Sequence, residues 1–218
     1  MERLVAKYAR KLADAGLARP EDIVLGGLDA ELAWNRPDPL ALPASGPLPV
    51  LFDHLNINSL LFAKPAGAYA PCVDFLAREA LATGAPVRPE DCDTRTFLHD
   101  LPVVPELSPE LLIPALKRRK AVIVPGRGVL AFGTVSPEQA FVTYSSTLFS
   151  CFVKFLLDCL RAKDRGEFGG ERARAFEQVL DLLPPPRTDL PALTPGPFVD
   201  EEAVYRAMDE AGAATVSY

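Results

Sequence analysis

The chain has 218 residues, about half of them apolar, and a net charge of −6 with an isoelectric point near 5.0. That length holds one large mixed domain, or one domain and a tail. The acidic balance argues against nucleic acid as a partner, because phosphate binding needs a basic face.

Residues 2–15 carry Leu4, Val5, Tyr8, Leu12 and Ala15 on one stripe and are closed by Gly16, which predicts a helix. This charged, amphipathic opening does not read as a signal peptide. Residues 23–34 (IVLGGLDAELAW) mix strand signals with glycines. The stretch from Pro37 to Pro49 is proline-rich with no period and predicts a surface loop. Ser59–Lys64 reads as a short strand, Pro71–Ala82 as a helix with Val73, Leu76 and Ala80 facing inward, and Thr94–Leu98 as a strand ending at His99-Asp100. Ser108-Pro109-Glu110 opens another helix, which Pro114 is expected to kink. The basic run Lys117–Lys120 closes it, where cations complement the dipole.

The central unit follows. Ala121–Val124 and Val129–Phe132 are β-branched or apolar runs joined by Pro125-Gly126-Arg127-Gly128, whose glycines suit a tight turn. Ser136, Pro137 and Gln139 then read as cap, first helical residue and capping-box partner. The helix they start carries Phe141, Tyr144, Leu148, Phe152, Phe155 and Cys159 on one face. Val142, Phe149, Val153, Leu156 and Leu160 fill much of the rest. A helix apolar nearly all round belongs in a core or against a partner subunit. Lys154 and Asp158 interrupt it, so no apolar run is expected to reach the roughly 20 residues that span a bilayer. Gly169-Gly170 ends this region. Helices near 171–183 and 201–211 follow, separated by a proline-dense extended linker. Four scattered cysteines without a Cys-x-x-Cys pair read as reduced thiols of a cytoplasmic protein. RPED occurs at Arg19–Asp22 and Arg88–Asp91, each time as a turn signal.

The layout of Lys120–Leu160, a strand, a turn, a strand ending in glycine and a long helix, resembles the closing segment of the class II aldolase/adducin family. Upstream, Leu98–Pro102 (LHDLP) is similar to the family's strand with a His-x-His pair, and LGGLDAELAWN is weakly similar to its phosphate loop. The resemblance is good over 94–160, thin over 1–85 and absent after 165. It implies an α+β fold with a central, mostly antiparallel sheet flanked by helices over residues 1–165; the two helices and the proline-dense linker beyond it read as a C-terminal helical arm over 166–218. It also implies phosphosugar chemistry of the carbon–carbon lyase kind and a homo-oligomer, fourfold in the family's usual ring.

Family enzymes hold zinc with three histidines, which bind the metal while leaving room for substrate oxygens. This chain departs from that pattern. Arg127 stands at the Asn-His-Gly position, only His99 remains of the His-x-His pair, and Pro65–Ala68 lacks the carboxylate of the family's Ser-Ser-Glu turn. A guanidinium beside a metal repels it, so no cofactor is expected and no metal ligands are assigned. His99 and Asp100 are the candidate acid/base residues, with Asp91, Cys92 and Asp93 nearby as further ligating groups. A lone histidine at a strand end also serves as a hydrogen-bonded structural residue. Arg127 and Arg95 could clamp a carboxylate or phosphate, and Asn58 and Ser59 could donate to a phosphate or simply cap a turn. Two functions stay open: binding or conversion of a phosphorylated sugar or small organic acid in the ancestral cleft, and a non-catalytic module for assembly. Neither nucleic acid nor membrane is an expected partner.

Overall fold

A computed structural model describes residues 1–37, 46–183 and Arg206. Across residues 1–183, among those described, seven α-helices surround one five-stranded sheet: α1 (Glu2–Asp14), β1 (Val24–Leu28), β2 (Leu32–Trp34), α2 (Leu48–His54), β3 (Ser59–Ala63), α3 (Tyr69–Thr83), α4 (Cys92–Leu98), α5 (Pro109–Arg118), β4 (Ala121–Val124), β5 (Gly128–Gly133), α6 (Pro137–Asp164) and α7 (Gly170–Leu182). The strand order is β2-β1-β3-β5-β4, with every neighbouring pair antiparallel.

Strands β3 and β4 are apolar at every position or nearly so, and both faces of the sheet are covered. The side-chain period of two sorts their residues cleanly. Leu61, Ala63, Ala121, Ile123, Val129 and Ala131 face a core shared with α1, α3, α6 and α7. Leu60, Phe62, Val122, Val124 and Leu130 face a second core against α2 and α5. The sheet is therefore sandwiched between helical layers.

Helix α6 is the main packing surface on the first side, and Tyr144, Leu148, Cys151, Phe155 and Cys159 are buried along it. Burial pushes the Cys151 thiol up to about 12 and the Cys159 thiol up to about 11, so neither is a thiolate at neutral pH. By length and composition α6 is apolar enough to cross a membrane, with a mean hydropathy of 1.5 in its most apolar window. This corrects the expectation that Lys154 and Asp158 break the run; the two side chains instead pair one turn apart at 2.9 Å.

Several elements differ from the sequence expectation. The stretch Thr94–Leu98 lies in α4, not in a strand: Asp91 caps the helix by accepting from the Thr94 amide at 2.8 Å, and this local bond outweighs the β-branched composition. Helix α2 begins inside the stretch expected as a loop, because Pro47 and Pro49 stand at its cap and first turn, where proline is tolerated. Ser136 makes no side-chain cap on α6. Gln139 reaches back past it, and its Oε1 accepts from the amides of Thr134 and Val135 at 2.9 and 3.0 Å. Helix α5 runs through Pro114. Helix α7 contributes Ala175 and Val179 to the first core, so the compact unit extends to Leu183, past the boundary at 165 drawn from the sequence. The helix expected at 201–211 and most of the arm lie outside the described residues.

Candidate functional site

The antiparallel register divides the loops between two ends of the sheet. Val24 pairs with Phe62, and Ala63 pairs with Val129. The entry to β1, the exit of β3 and the β4–β5 turn therefore share one end, called here the tip end. The exit of β1, the entry to β3 and the exit of β5 share the other, since Gly27 pairs with Ser59 and Ser59 with Gly133. The four steps from Ser59 to Ala63 put these ends about 13 Å apart along one strand.

Most sequence-predicted site residues fall at the far end, where hydrogen bonds within the chain occupy Ser59, Asp100 and the amide group of Asn58, whose buried Oδ1 has no partner among the described residues. Asn58 donates through Nδ2 to the Leu28 carbonyl, bracing the exit of β1. Ser59 is fully buried and its Oγ donates to the Ser136 carbonyl at 2.7 Å, joining β3 to the start of α6. Asp100 accepts a two-pronged pair from Arg119, Nε to Oδ1 at 2.6 Å and Nη2 to Oδ2 at 2.8 Å. The Arg119 guanidinium holds the Asp100 carboxyl below its ordinary range. His99 is exposed and closes α4 with φ 63° and ψ −72°, the only non-glycine residue at positive φ among those described. The Asp100 amide donates across it to the Leu98 carbonyl at 2.9 Å, which makes a γ-turn of the strained hand. That turn aims the Asp100 carboxylate at Arg119. Cys92 is exposed, and Asp91 is a helix cap rather than a ligand.

His99 also lies too far back to meet Arg127. Val103 bridges Ile123 in parallel, so the chain after Leu101 runs beside β4 toward the turn and His99 stands upstream, at the other end. Arg95 is exposed on α4, whose Phe97 ring lies under the Lys120 ammonium at 4.5 Å, again at the start of β4. The expected clamp of Arg95 and Arg127 does not form.

At the tip end the structure assembles a different group. A cleft of about 510 Å³ is lined by Arg19 and Asp22 before β1, Lys64 and Gly67 after β3, Asp74 on α3 and Gln178 on α7. Just before Lys64, the buried Tyr144 hydroxyl donates to the Ala63 carbonyl at 3.4 Å; burial raises the Tyr144 pKa. The β4–β5 turn is tied to the cleft wall, because the Gly126 amide donates to Asp74 Oδ1 at 3.3 Å. Arg127 stands exposed on that turn. Gly128 has φ 147°, and a Cβ there would strike the Ala63 carbonyl, so the turn can press against β3 only with glycine. Among the described residues the side chains of Arg19, Lys64 and Arg127 have no hydrogen-bond or ion-pair partner. The N-terminus of the 15-residue α3 opens on the same cleft, adding a partial positive charge.

Sequence reasoning does not find Arg19, Lys64 or Gln178. The first RPED carries only a turn signal, and nothing local marks Lys64 or Gln178, since the sheet register alone brings them together. A second groove of about 350 Å³ contains Asp100, Arg118 and Arg119, but there the carboxylate and one guanidinium already satisfy each other.

A three-histidine zinc centre does not fit these residues. Among the described residues no three histidine, cysteine or carboxylate side chains converge. His54 ends α2 and His99 ends α4, while the turn at the tip end carries a permanent cation.

No protein-family model matches the sequence, and no curated protein matches it. Solved structures do. L-fuculose-1-phosphate aldolase from Thermus thermophilus superposes with a TM-score of 0.56 at 15% identity, covering 74% of this chain and 95% of that one. L-fuculose 1-phosphate aldolase from Glaciozyma antarctica gives 0.54 at 17% identity, covering 83% and 87%. YgbL from Klebsiella pneumoniae gives 0.56 at 14%, covering 72% and 88%. The chain has a class II aldolase-like α+β fold.

Proposed function

We propose that the chain binds a phosphorylated sugar or a related small organic acid in the tip-end cleft, held by Arg19, Lys64 and Arg127 and not by a zinc ion. The observation that carries this reading is the gathering of three unpartnered cations at one end of the sheet, two of them lining the cleft beside a helix N-terminus. A guanidinium fork grips a phosphate or carboxylate through two parallel bonds, and the ammonium adds a point charge. The solved relatives named for a sugar phosphate share the fold and support that class of ligand. Asp22 and Asp74 in the wall would position hydroxyls of the sugar, and Gln178 would read another. The chain is taken to act in the cytoplasm as a homo-oligomer, in keeping with its acidic composition and free thiols.

The test is a thermal-shift series with L-fuculose 1-phosphate, other phosphosugars, small carboxylic acids and inorganic phosphate. A ligand near 100 times its Kd adds about 2.7 kcal/mol of stability by mass action, which reads as a clear rise in Tm. The rise should vanish in Arg19→Ala and Lys64→Ala and survive in Arg95→Ala. Silence across the whole panel would overturn the reading.

A specific observation also favours the second reading, a module for assembly: α6 leaves large apolar side chains in solvent, with Val142, Phe149 and Leu160 all exposed.

A further inference from the structure

Lys64 is exposed, but the backbone on either side of it is buried, with Ala63 at the end of β3 and Pro65 after it. Ala18 bridges Pro65 in the antiparallel sense, and the Ala66 amide donates to the Leu17 carbonyl at 3.0 Å. One step along, Arg19, its backbone still extended at φ −78° and ψ 145°, comes opposite Lys64. On the other flank, a Cβ built on Gly128 would lie 3.2 Å from the Lys64 Cα. The turn bearing Arg127 therefore rests against Lys64 as well.

The order across this end of the sheet is Arg19, Lys64, Arg127, with the lysine in the middle. Residues opposite each other on antiparallel segments share a face, with Cβ atoms about 5 Å apart, and like charges so placed repel. Asp22 and Asp74 line the same cleft, yet neither pairs with Arg19 or Lys64. The middle residue also differs in chemistry from its neighbours. A guanidinium stays charged and serves to grip an anion, whereas a primary amine that gives up its protons attacks a carbonyl carbon. Lys64 is the only amine among the residues that line the cleft. A phosphate gripped by Arg19 is held about 5 Å from the lysine stem, one cross-strand step away. In a small molecule whose carbonyl adjoins the phosphorylated carbon, that grip presents the carbonyl carbon to the Lys64 nitrogen. Holding two reacting groups in this way replaces a bimolecular encounter with an internal one.

We propose that Lys64 forms an imine with the carbonyl of a phosphorylated ketose or aldehyde bound in the tip-end cleft. This rests on the reading of the cleft as a phosphate site. The step needs no co-reactant. The lysine nitrogen bonds to the carbonyl carbon, the carbon–oxygen bond breaks, and the oxygen leaves as water with two of the three ammonium protons. Asp22 and Asp74 in the cleft wall are the groups that relay them.

Borohydride trapping of the full chain tests the proposal, because reduction turns the imine into a stable secondary amine that peptide mass spectrometry can place. With dihydroxyacetone phosphate the wild type should gain an adduct on the peptide that holds Lys64. Unphosphorylated dihydroxyacetone at the same concentration should label that peptide at least about tenfold less, and Arg19→Ala should lower labelling by the phosphate ester about as much. Lys64→Arg, which keeps the charge, should lose the adduct and retain the rise in Tm that dihydroxyacetone phosphate produces. A rise in Tm with no adduct on Lys64 would overturn the imine and leave the phosphate site standing. So would labelling spread over exposed lysines such as Lys7 and Lys117 regardless of phosphate. Absence of any rise in Tm with dihydroxyacetone phosphate and with the rest of the panel would overturn the phosphate site, and the imine with it.

Discussion

The two ends of the sheet differ in how far their polar side chains are paired. At the far end Ser59 is satisfied by Ser136, Asp100 by Arg119, and Gln139 by Thr134 and Val135, while the Asn58 amide group donates to Leu28 and its buried Oδ1 stays without a partner among the described residues. At the tip end Arg19, Lys64 and Arg127 find no partner among the described residues. A polar group that folding satisfies holds the fold, whereas charges left together without partners cost repulsion that a ligand can relieve. The candidate site is thus identified by unpaired cations that gather around one cleft. Substitutions at the far end should lower stability and spare binding, and those at the tip end should do the reverse.

The largest effect should come from the far end. Asp100→Ala leaves the half-buried Arg119 without its fork partner and should cost about 2–3 kcal/mol, measured by urea denaturation. The sign of its pH dependence follows from the depressed carboxyl. The folded pKa lies below the unfolded value of about 3.9, so the stabilisation is full above that value and is lost as pH falls through the folded pKa. Asp100→Asn should therefore unfold less steeply in acid than the wild type. Equal acid sensitivity in the two proteins would remove Asp100–Arg119 as a stabilising pair.

Next in size is Ser59→Ala, which strips the buried donor from the Ser136 carbonyl and should cost about 1–2 kcal/mol. His99→Gly should move the other way, by about 1 kcal/mol, because glycine accepts the positive φ that histidine holds under strain. Phosphate-induced shifts should be unchanged in both. A His99→Gly variant that lost its ligand response would return His99 to the site and break the division between the ends.

The part of this division that can be read from sequence is the part written locally. The two strands around Pro125–Gly128 and the helix from Pro137 stand out because their apolar runs, glycines and cap residues sit within a few positions of one another. Helix α4 escapes such a reading, since Thr94, Thr96 and Phe97 favour a strand, and one carboxylate, Asp91, decides the matter. The error displaces His99 as well, carrying it from the end of a helix to the end of a strand pointed at the wrong loop. Of the tip-end group the sequence offers only Arg127, from its glycine-flanked turn, and neither Arg19 nor Lys64. Arg19, Lys64 and Arg127 are separated by long stretches of chain, and only the pairing of β1 with β3 and of β3 with β5 makes them neighbours.

The smallest change in stability should accompany the sharpest change in binding. Arg127 is exposed on a turn whose conformation rests on Gly126, Gly128 and the Asp74 contact, none of which involves its side chain. Arg127→Ala should therefore alter unfolding by no more than about 0.5 kcal/mol. It should still weaken phosphosugar binding by about tenfold or more, the value of one charge-assisted pair. Arg127→His separates anion binding from a hidden metal site. It places an imidazole where the aldolase pattern has one, but neither His54 nor His99 reaches the tip end, so a lone imidazole has no protein co-ligands to build a zinc site. Isothermal titration with zinc should give the same weak response in Arg127→His as in the wild type. A new tight site of one zinc per chain would mean that ligands stand near the turn after all, and that its positive charge is what keeps metal out.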